Sequence, residues 1–336
     1  MAIVCVTGAA GFVGSHIVRE LLQRGHEVRA AVRDPRDETK TAHLKGMGAV
    51  ELVSGDLTRP GSFDEAIAGC TFVVHCASSV MLTAKDPQRE IVDVAVHGTR
   101  NVMAAVAKAE SVRRVVVTSS IAAVIDPYLP DGHVFTEDDW NDRATVGEDP
   151  YGLSKIQAER AAVEAAKSIS SRRSLVFAAV NPAFVLGPVL ARAHLRSSPS
   201  LARDLLRGKF PACPNLSFAL VDVRDVAQVH ANALELDDPP ARVICVARSM
   251  PMVEIGRILK ARFSDRPVPT RQLPDLLMYA MVPFDKRLSF SFLRRNLGRR
   301  RVLSNERMRA VFGVQPRPVE ETIADCAESI IDGGWC

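Results

Sequence analysis

The chain has 336 residues, 47% of them hydrophobic and 24% charged, and a net charge of +4. Such a chain is long enough for one large α/β domain with a smaller lobe, or for two domains. It has no apolar run near the roughly 20 residues a membrane span needs, and its small positive charge gives no ground for nucleic-acid binding. Seven cysteines, scattered without a C-x-x-C pair or zinc spacing, read as reduced and buried thiols of a cytoplasmic protein.

Ala2–Val6 is nearly all apolar and reads as a strand buried on both faces, not as a signal peptide, because no basic segment or cleavage site accompanies it. Gly8-Ala-Ala-Gly11-Phe-Val-Gly14 follows at once, and then a helical pattern over His16–Arg24 that stops at Gly25. A glycine triplet between strand and helix lets the backbone turn sharply and approach a pyrophosphate, with helix N–H groups facing the anion. Gly8, Gly11, Phe12, Val13 and Gly14 are therefore candidate cofactor-binding residues. Glu27–Val32 is the second strand. Dinucleotide sites for NAD carry an acidic residue near this strand's end. Here Val32 and Arg33 stand in that place, so no carboxylate repels a 2′-phosphate and a guanidinium can hold it. NADP(H) is expected in preference to NAD(H); Arg36 and Lys40 add positive charge, and Asp34 opposes the reading.

Ala49–Val53 is a third strand, closed by Asp56-Leu57. Asp56 is placed to take an adenine amino group, or else is a turn aspartate. Thr71–His75 is a fourth strand and runs into Cys76-Ala77-Ser78-Ser79, small residues that let a cofactor lie against the backbone. Pro87–Glu110 reads as one long helical segment. Arg113–Thr118 is the fifth strand, and Thr118-Ser119-Ser120 opens the loop after it. Ligands of open parallel sheets bind off the strands' carboxyl ends, so Ser120, the glycines and the helix at Tyr151 point at one crevice.

In Tyr151-Gly-Leu-Ser-Lys155 the two terminal side chains share a helix face. A free phenol, with a pKa of roughly 10, is a poor acid–base catalyst near neutrality, and a neighbouring ammonium favours its ionised form. The pair can exchange a proton with a carbinol oxygen. Any helix can produce this spacing by chance; the glycine turn and Thr118-Ser119-Ser120 give it weight. Between 126 and 150 the chain reads as a polar loop whose Glu137-Asp-Asp139 is solvated or caps a turn. No histidine is spaced for ligation, and no metal is expected. Ile156–Lys167 continues the helix, and Leu175–Val180 is a sixth strand ending in Asn181-Pro182. Ala219–Val223 reads as a strand running into a helix over Arg224–Leu236, Val243–Val246 as a further strand, and the remainder as mostly helical and loop-rich. Arg294-Arg295 and Arg299-Arg300-Arg301 read as a solvated, lobe-surface cluster, or as a contact for an anionic ligand.

Taken in this order, Gly8-x-x-Gly11-x-x-Gly14, Asp56-Leu57, Thr118-Ser119-Ser120, Tyr151-x-x-x-Lys155 and Asn181-Pro182 resemble the extended short-chain dehydrogenase/reductase family over nearly the whole chain. Val32-Arg33-Asp34-Pro35 and Val221-Asp222-Val223-Arg224-Asp225-Val226-Ala227 look like its dihydroflavonol reductase, cinnamoyl-CoA reductase and aldehyde/ketone reductase branch. The resemblance implies an α/β fold: a Rossmann doubly wound parallel sheet flanked by helices over 1–182, with about 219–240 returning to it, and a smaller mixed α/β substrate lobe mainly over 183–336. It implies a trio of Ser120, Tyr151 and Lys155, with Ser119 as the fallback serine. It further implies that Lys155 holds the nicotinamide ribose, and that Pro182 and Val185 flank the nicotinamide. The apolar loop Ile121–Asp126 departs from plant dihydroflavonol reductases, so a polyhydroxylated flavonoid is not the expected substrate.

The expected activity is NADPH-dependent reduction of a ketone or aldehyde, reversible as alcohol oxidation. A nucleotide-sugar epimerase or dehydratase, a hydroxysteroid dehydrogenase, and an NADPH-sensing binding module stay open as alternatives. The expected partner is a small carbonyl compound with a bulky apolar part. Met81, Leu82, Phe184, Leu186, Phe210 and Phe218 are candidates for its pocket, and the protein is expected to be a monomer or homodimer.

Overall fold

The computed structural model describes residues 1–78, 84–283 and 289–336; Ser79, Met81 and Leu82 lie outside them. In chain order the strands are β1 (Ile3–Thr7), β2 (Glu27–Val32), β3 (Val50–Ser54), β4 (Phe72–His75), β5 (Arg114–Thr118), β6 (Val134–Phe135), β7 (Val176–Pro182), β8 (Phe184–Leu186), β9 (Ser217–Asp222), β10 (Arg242–Cys245), β11 (Arg248–Pro251) and β12 (Val302–Leu303). The helices are α1 (Phe12–Gln23), α2 (Glu38–Lys45), α3 (Asp64–Ile67), α4 (Val94–Lys108), α5 (Pro150–Ser170), α6 (Ser200–Leu206), α7 (Val223–Glu235), α8 (Met252–Arg262), α9 (Asp275–Met281), α10 (Phe290–Asn296), α11 (Glu306–Ala310) and α12 (Val319–Asp332). Among the described residues no helix is long and apolar enough to cross a membrane.

Seven strands form one parallel sheet in the order β10-β7-β5-β4-β1-β2-β3. The chain moves outward from β1 in one direction and from β4 in the other, so their carboxyl ends flank the topological switch point, where an open α/β sheet binds its ligand. Alternate residues of each strand serve opposite faces. Val4, Val6, Val74 and Val116 pack with Ile17 and Leu21 of α1. Cys5, Val73, Val115 and Val117 pack with α4 and α5. Because both faces are covered, the strands are apolar almost throughout instead of alternating.

Several features differ from the sequence expectation. The helix expected over Pro87–Glu110 opens as a π-helical turn at Gln88–Asp93 before α4 begins. The strand expected at Ala219–Val223 spans Ser217–Asp222 and lies in a separate three-stranded sheet, β11-β9-β8, while α7 after it packs on α1 and β10 joins the edge of the large sheet. Only Ala183 separates β7 of the large sheet from β8 of the small one. The arginine cluster is not simply a solvated face. Arg295 is buried and donates to the Glu148 carbonyl at 2.9 Å, Arg301 donates to the Pro127 carbonyl at 2.8 Å, and Arg299 meets Asp131 at 3.2 Å. These contacts, with the β6–β12 pairing, fasten the C-terminal segment to the 126–150 loop; Arg294 and Arg300 stay exposed.

Candidate active site

The crevice begins at the glycine turn. Gly8 ends β1 at φ +68°, and a Cβ there would lie 2.6 Å from Ala77 Cα. Its carbonyl accepts the Gly11 N–H at 2.9 Å, and a Cβ at Gly14 would lie 2.3 Å from that same oxygen. Gly11 caps α1 from an extended conformation with no side-chain hydrogen bond. The first amides of α1 are thereby left to an anion, with the positive end of the helix dipole behind them. Phe12 is buried, its ring 5.6 Å from His16 and 5.8 Å from His194, so it offers the crevice its backbone; Val13 is half-buried.

Thr7 ties the turn to the end of β4. Its carbonyl accepts from Cys76 N–H at 3.2 Å, and its hydroxyl accepts from Ala77 N–H at 3.2 Å and meets His75 Nδ1 at 2.8 Å. Burial pushes the His75 imidazole down to about 3, with the Lys155 charge adding to the effect. Lys155 itself is 6% exposed. Its Nζ donates to Ser78 Oγ at 2.9 Å and lies 5.7 Å from the centre of the Tyr151 ring. α5 makes this possible: Asp149 caps it through Gly152 N–H at 2.9 Å and Pro150 starts it. Lys155 thus faces the end of β4, with the half-buried Tyr151 ring beside its ammonium.

The three hydroxyls after β5 face different partners. Thr118 Oγ1 lies 2.8 Å from His230 Nε2. Burial pushes His230 down to about 4, so it is neutral, its Nδ1 donating to the Val226 carbonyl at 2.8 Å and its Nε2 accepting from Thr118. Ser119 is buried and donates to the Glu159 carboxylate. Ser120 is half-buried; its Oγ accepts from Ala122 N–H at 3.1 Å, which caps a short 3₁₀ turn and leaves its own proton to donate. A narrow cavity is lined by His75, Ala77, Ser78, Thr118, Ser119 and Lys155, among others.

On the opposite side of the glycine turn the site is open. The Arg33 side chain is 83% exposed, with Nε 3.8 Å from Asp56 Oδ2. Asp56 Oδ1 accepts from Thr58 N–H at 2.9 Å and Thr58 Oγ1 at 2.8 Å, the geometry of a turn aspartate, and these bonds hold its carboxyl below the usual range. Leu57 packs beneath Gly98, where a Cβ would lie 2.8 Å from its own. Lys40 is exposed and its Nζ is turned to Asp37 at 2.5 Å. Pro182 is buried at the end of β7, and Val185 is buried on β8 opposite Val221. Phe184 and Phe218 meet at 4.9 Å between ring centres and Phe210 is half-buried, but Leu186 is fully buried in the core instead of lining a pocket. Among the described residues no cluster is set to hold a metal ion.

Two groups near the site were not anticipated. Ser15 Oγ meets His43 Nε2 at 2.8 Å and His194 Nε2 at 3.3 Å directly behind the glycine turn; these histidines are far from Ser15 in the chain, and no local pattern announces them. Glu159 lies beneath Ser119 and pairs with Arg242. Its spacing, one turn beyond Lys155 on the same helix, was the available signal.

A doubly wound sheet, a glycine turn at its switch point, and a buried lysine beside a tyrosine on α5 define an oxidoreductase of the extended short-chain dehydrogenase/reductase class. Residues 5–246 match the 3-beta hydroxysteroid dehydrogenase/isomerase family, and the chain belongs to it as an NAD(P)-dependent reductase. Cinnamoyl-CoA reductase CAD2 of Medicago truncatula is 39% identical over 284 residues, 81% of this chain and 83% of that protein. Tetraketide alpha-pyrone reductase 1 of Arabidopsis thaliana is 35% identical over 347 residues, 99% of this chain and 96% of that protein. The structure of yeast methylglyoxal/isovaleraldehyde reductase Gre2 complexed with NADPH matches with a TM-score of 0.82 and 26% identity, covering 99% of this chain and 100% of that chain. The glycine turn fits a dinucleotide: a Cβ at Gly8 or Gly14 would collide with backbone, and the amides of α1 carry no competing cap.

Two outcomes follow from this geometry. Gly8→Ala forces both an unfavourable φ and a backbone collision, whereas Gly25→Ala, at φ +79° with nothing within 4 Å, carries only the conformational strain of about 1 kcal/mol. Fluorescence titration is expected to show NADPH binding lost in the first and kept in the second; retained binding in Gly8→Ala would sink the turn's role. Burial also lowers His16 and His75 to about 3 and His194 and His230 to about 4. Unfolded, each takes up a proton below about 6.5. The folded pKa is the depressed one, so their stabilisation is complete above pH 6.5 and is lost as pH falls toward 4. Urea unfolding at pH 7.5 and 5.5 is expected to show a loss of roughly 1.4 kcal/mol per histidine at the lower pH; equal stability at the two would refute it.

Proposed function

We propose that the protein is an NADPH-dependent carbonyl reductase, converting a ketone or aldehyde to an alcohol and running in reverse as an alcohol dehydrogenase. The observation that carries this is Lys155, buried in the crevice beside Tyr151 and bonded to Ser78 at the end of β4. In this reading residues 1–182, with the segment 219–240, make up the cofactor half, and 183–336 supply most of the substrate half. The cofactor is NADP(H) in preference to NAD(H): Arg33 reaches into solvent at the end of β2 with no carboxylate in the acidic residue's usual place. Gly8, Gly11, Phe12, Val13 and Gly14 would hold the pyrophosphate, and Arg33, Lys40, Asp56 and Leu57 the adenosine. Cys76, Ala77, Ser78, Thr118, Pro182 and Val185 border the nicotinamide side. The seven unpaired thiols suit a cytoplasmic setting.

The chemistry the cofactor would supply when bound is a hydride for the carbonyl carbon. Ser120 donates its hydroxyl proton in a hydrogen bond to the carbonyl oxygen, where negative charge develops. Tyr151 transfers its phenolic proton to that oxygen. Lys155 sets a positive charge beside the ring from which the proton leaves, and is the residue that would hold the nicotinamide ribose. The half-buried pair Phe184 and Phe218 supports a substrate with a bulky apolar part.

NADPH oxidation, followed by absorbance against carbonyl compounds from small aldehydes to aryl ketones and β-keto esters, tests the reading directly. Tyr151→Phe is expected to lower kcat on the best substrate by roughly 100-fold or more while leaving the Kd for NADPH within about twofold; wild-type turnover in that variant would remove the proton-donor role. Arg33→Ser is expected to raise KM for NADPH roughly tenfold, the scale of one charge-assisted hydrogen bond, and to leave KM for NADH unchanged. Equal effects on both cofactors would transfer the discrimination to other residues.

A further inference from the structure

We infer that Glu159 is a positioning residue for the reduction: its buried carboxylate holds the Ser119-Ser120 segment to α5 and so fixes where Ser120 stands relative to Tyr151. The inference rests on the reading of Ser120 as the serine that contacts the carbonyl oxygen.

Glu159 is 1% exposed. Its Oε2 accepts from the Ser119 hydroxyl and from Asn181 Nδ2 at 2.8 Å. Its Oε1 accepts from Arg242 Nε at 2.6 Å. Asn181 Nδ2 also donates to the Ser120 carbonyl oxygen at 3.2 Å, which carries the tie from the carboxylate to the catalytic serine's own peptide group. Arg242 is in turn fixed from several sides. It stacks on Trp140 with Cζ 3.8 Å from the ring centre, donates to the Asp139 carbonyl at 2.9 Å, and sits 8% exposed on β10. The carboxylate therefore joins the ends of β5 and β7 and the start of β10 to a single helix.

That helix is the one carrying Tyr151 and Lys155. Residues 151, 155 and 159 repeat every four positions and lie along one face. The proton donor, the ammonium and the carboxylate that holds the serine's loop are thus set by one rigid element. An unpaired buried carboxylate would be costly, and three donors including a guanidinium remove that cost. The same count explains why neutralising it should matter. Glutamine at this position has one oxygen and one NH₂; whichever way it turns, its NH₂ meets either Arg242 or the Ser119 and Asn181 donors.

The test is a double-mutant cycle between Glu159 and Ser120, read as kcat and KM with the Kd for NADPH and the unfolding midpoint measured in parallel. Glu159→Gln is expected to lower kcat roughly tenfold or more and to leave the Kd for NADPH within about twofold, because none of its hydrogen bonds is made to the glycine turn or to Ser78. In a Ser120→Ala background the same change is expected to cost less than twofold further. Full additivity of the two changes, or wild-type kcat in Glu159→Gln, overturns the inference. Wild-type kcat in Ser120→Ala alone overturns the serine reading itself, a distinguishable failure. Should Glu159→Gln not fold, Asn181→Ala takes its place in the cycle with the same criteria, since it cuts the bond to the Ser120 carbonyl and spares the Glu159–Arg242 pair.

Discussion

Everything in the crevice is keyed to the approach of two backbones, at Gly8 after β1 and Ala77 after β4, closer than any side chain at Gly8 would permit. Parallel strands at a switch point feed helices on opposite faces, and their ends must part to leave room for a ligand. Here they part only after Thr7 has clamped both ends, through its carbonyl to Cys76 and its hydroxyl to Ala77 and His75. The turn is therefore preorganised by bonds within the protein. A phosphate arriving at α1 meets amides already aligned, with little ordering left to oppose binding.

Charge in the buried half of the crevice is arranged with similar economy. Lys155 is nearly sealed from solvent, where an ammonium is tolerated only with good partners. Ser78 supplies an acceptor and the Tyr151 ring a polarisable face. His75 lies close by, yet its low pKa keeps it uncharged at neutral pH, so it adds hydrogen-bonding capacity without like-charge repulsion. One turn further along α5, Glu159 carries the opposite charge but is matched by Arg242. Each of these buried charges thus has a local partner, Ser78 for Lys155 and Arg242 for Glu159.

The large sheet was legible because its strands are apolar runs bounded by glycine and polar turns, and because a strand–turn–helix with G-x-x-G-x-x-G spacing is a local pattern. Tyr151 and Lys155 were legible for the same reason, lying on one face of one well-capped helix. What escaped was non-local. β8 has three residues and β6 and β12 two each, so their pairing comes from neighbours distant in sequence and their composition says nothing. The C-terminal arginines looked like a solvated run because nothing in their own segment reveals Glu148, Pro127 and Asp131 across the loop. The different surroundings of Ser119 and Ser120 also belong to the third dimension. Adjacent residues point to opposite sides, and only the position of Glu159 shows which hydroxyl is already taken.

The two ends of the crevice differ in solvent access, and on the proposed reading that difference would divide their tasks. Arg33 stands 83% exposed and shares its surroundings with Asp56. A guanidinium in water contributes modestly to binding an anion, since hydration and salt screen it, and the neighbouring carboxylate opposes part of its charge. Discrimination between phosphorylated and unphosphorylated ribose made there is a matter of modest factors, sensitive to ionic strength. At the other end Lys155 is nearly sealed from solvent, and in the proposed mechanism the same unit charge would have far greater effect on a reacting oxygen there. On the proposed reading cofactor choice could therefore be retuned by surface substitutions around β2 without disturbing the fold, whereas the chemistry would depend on groups that the core itself holds in place.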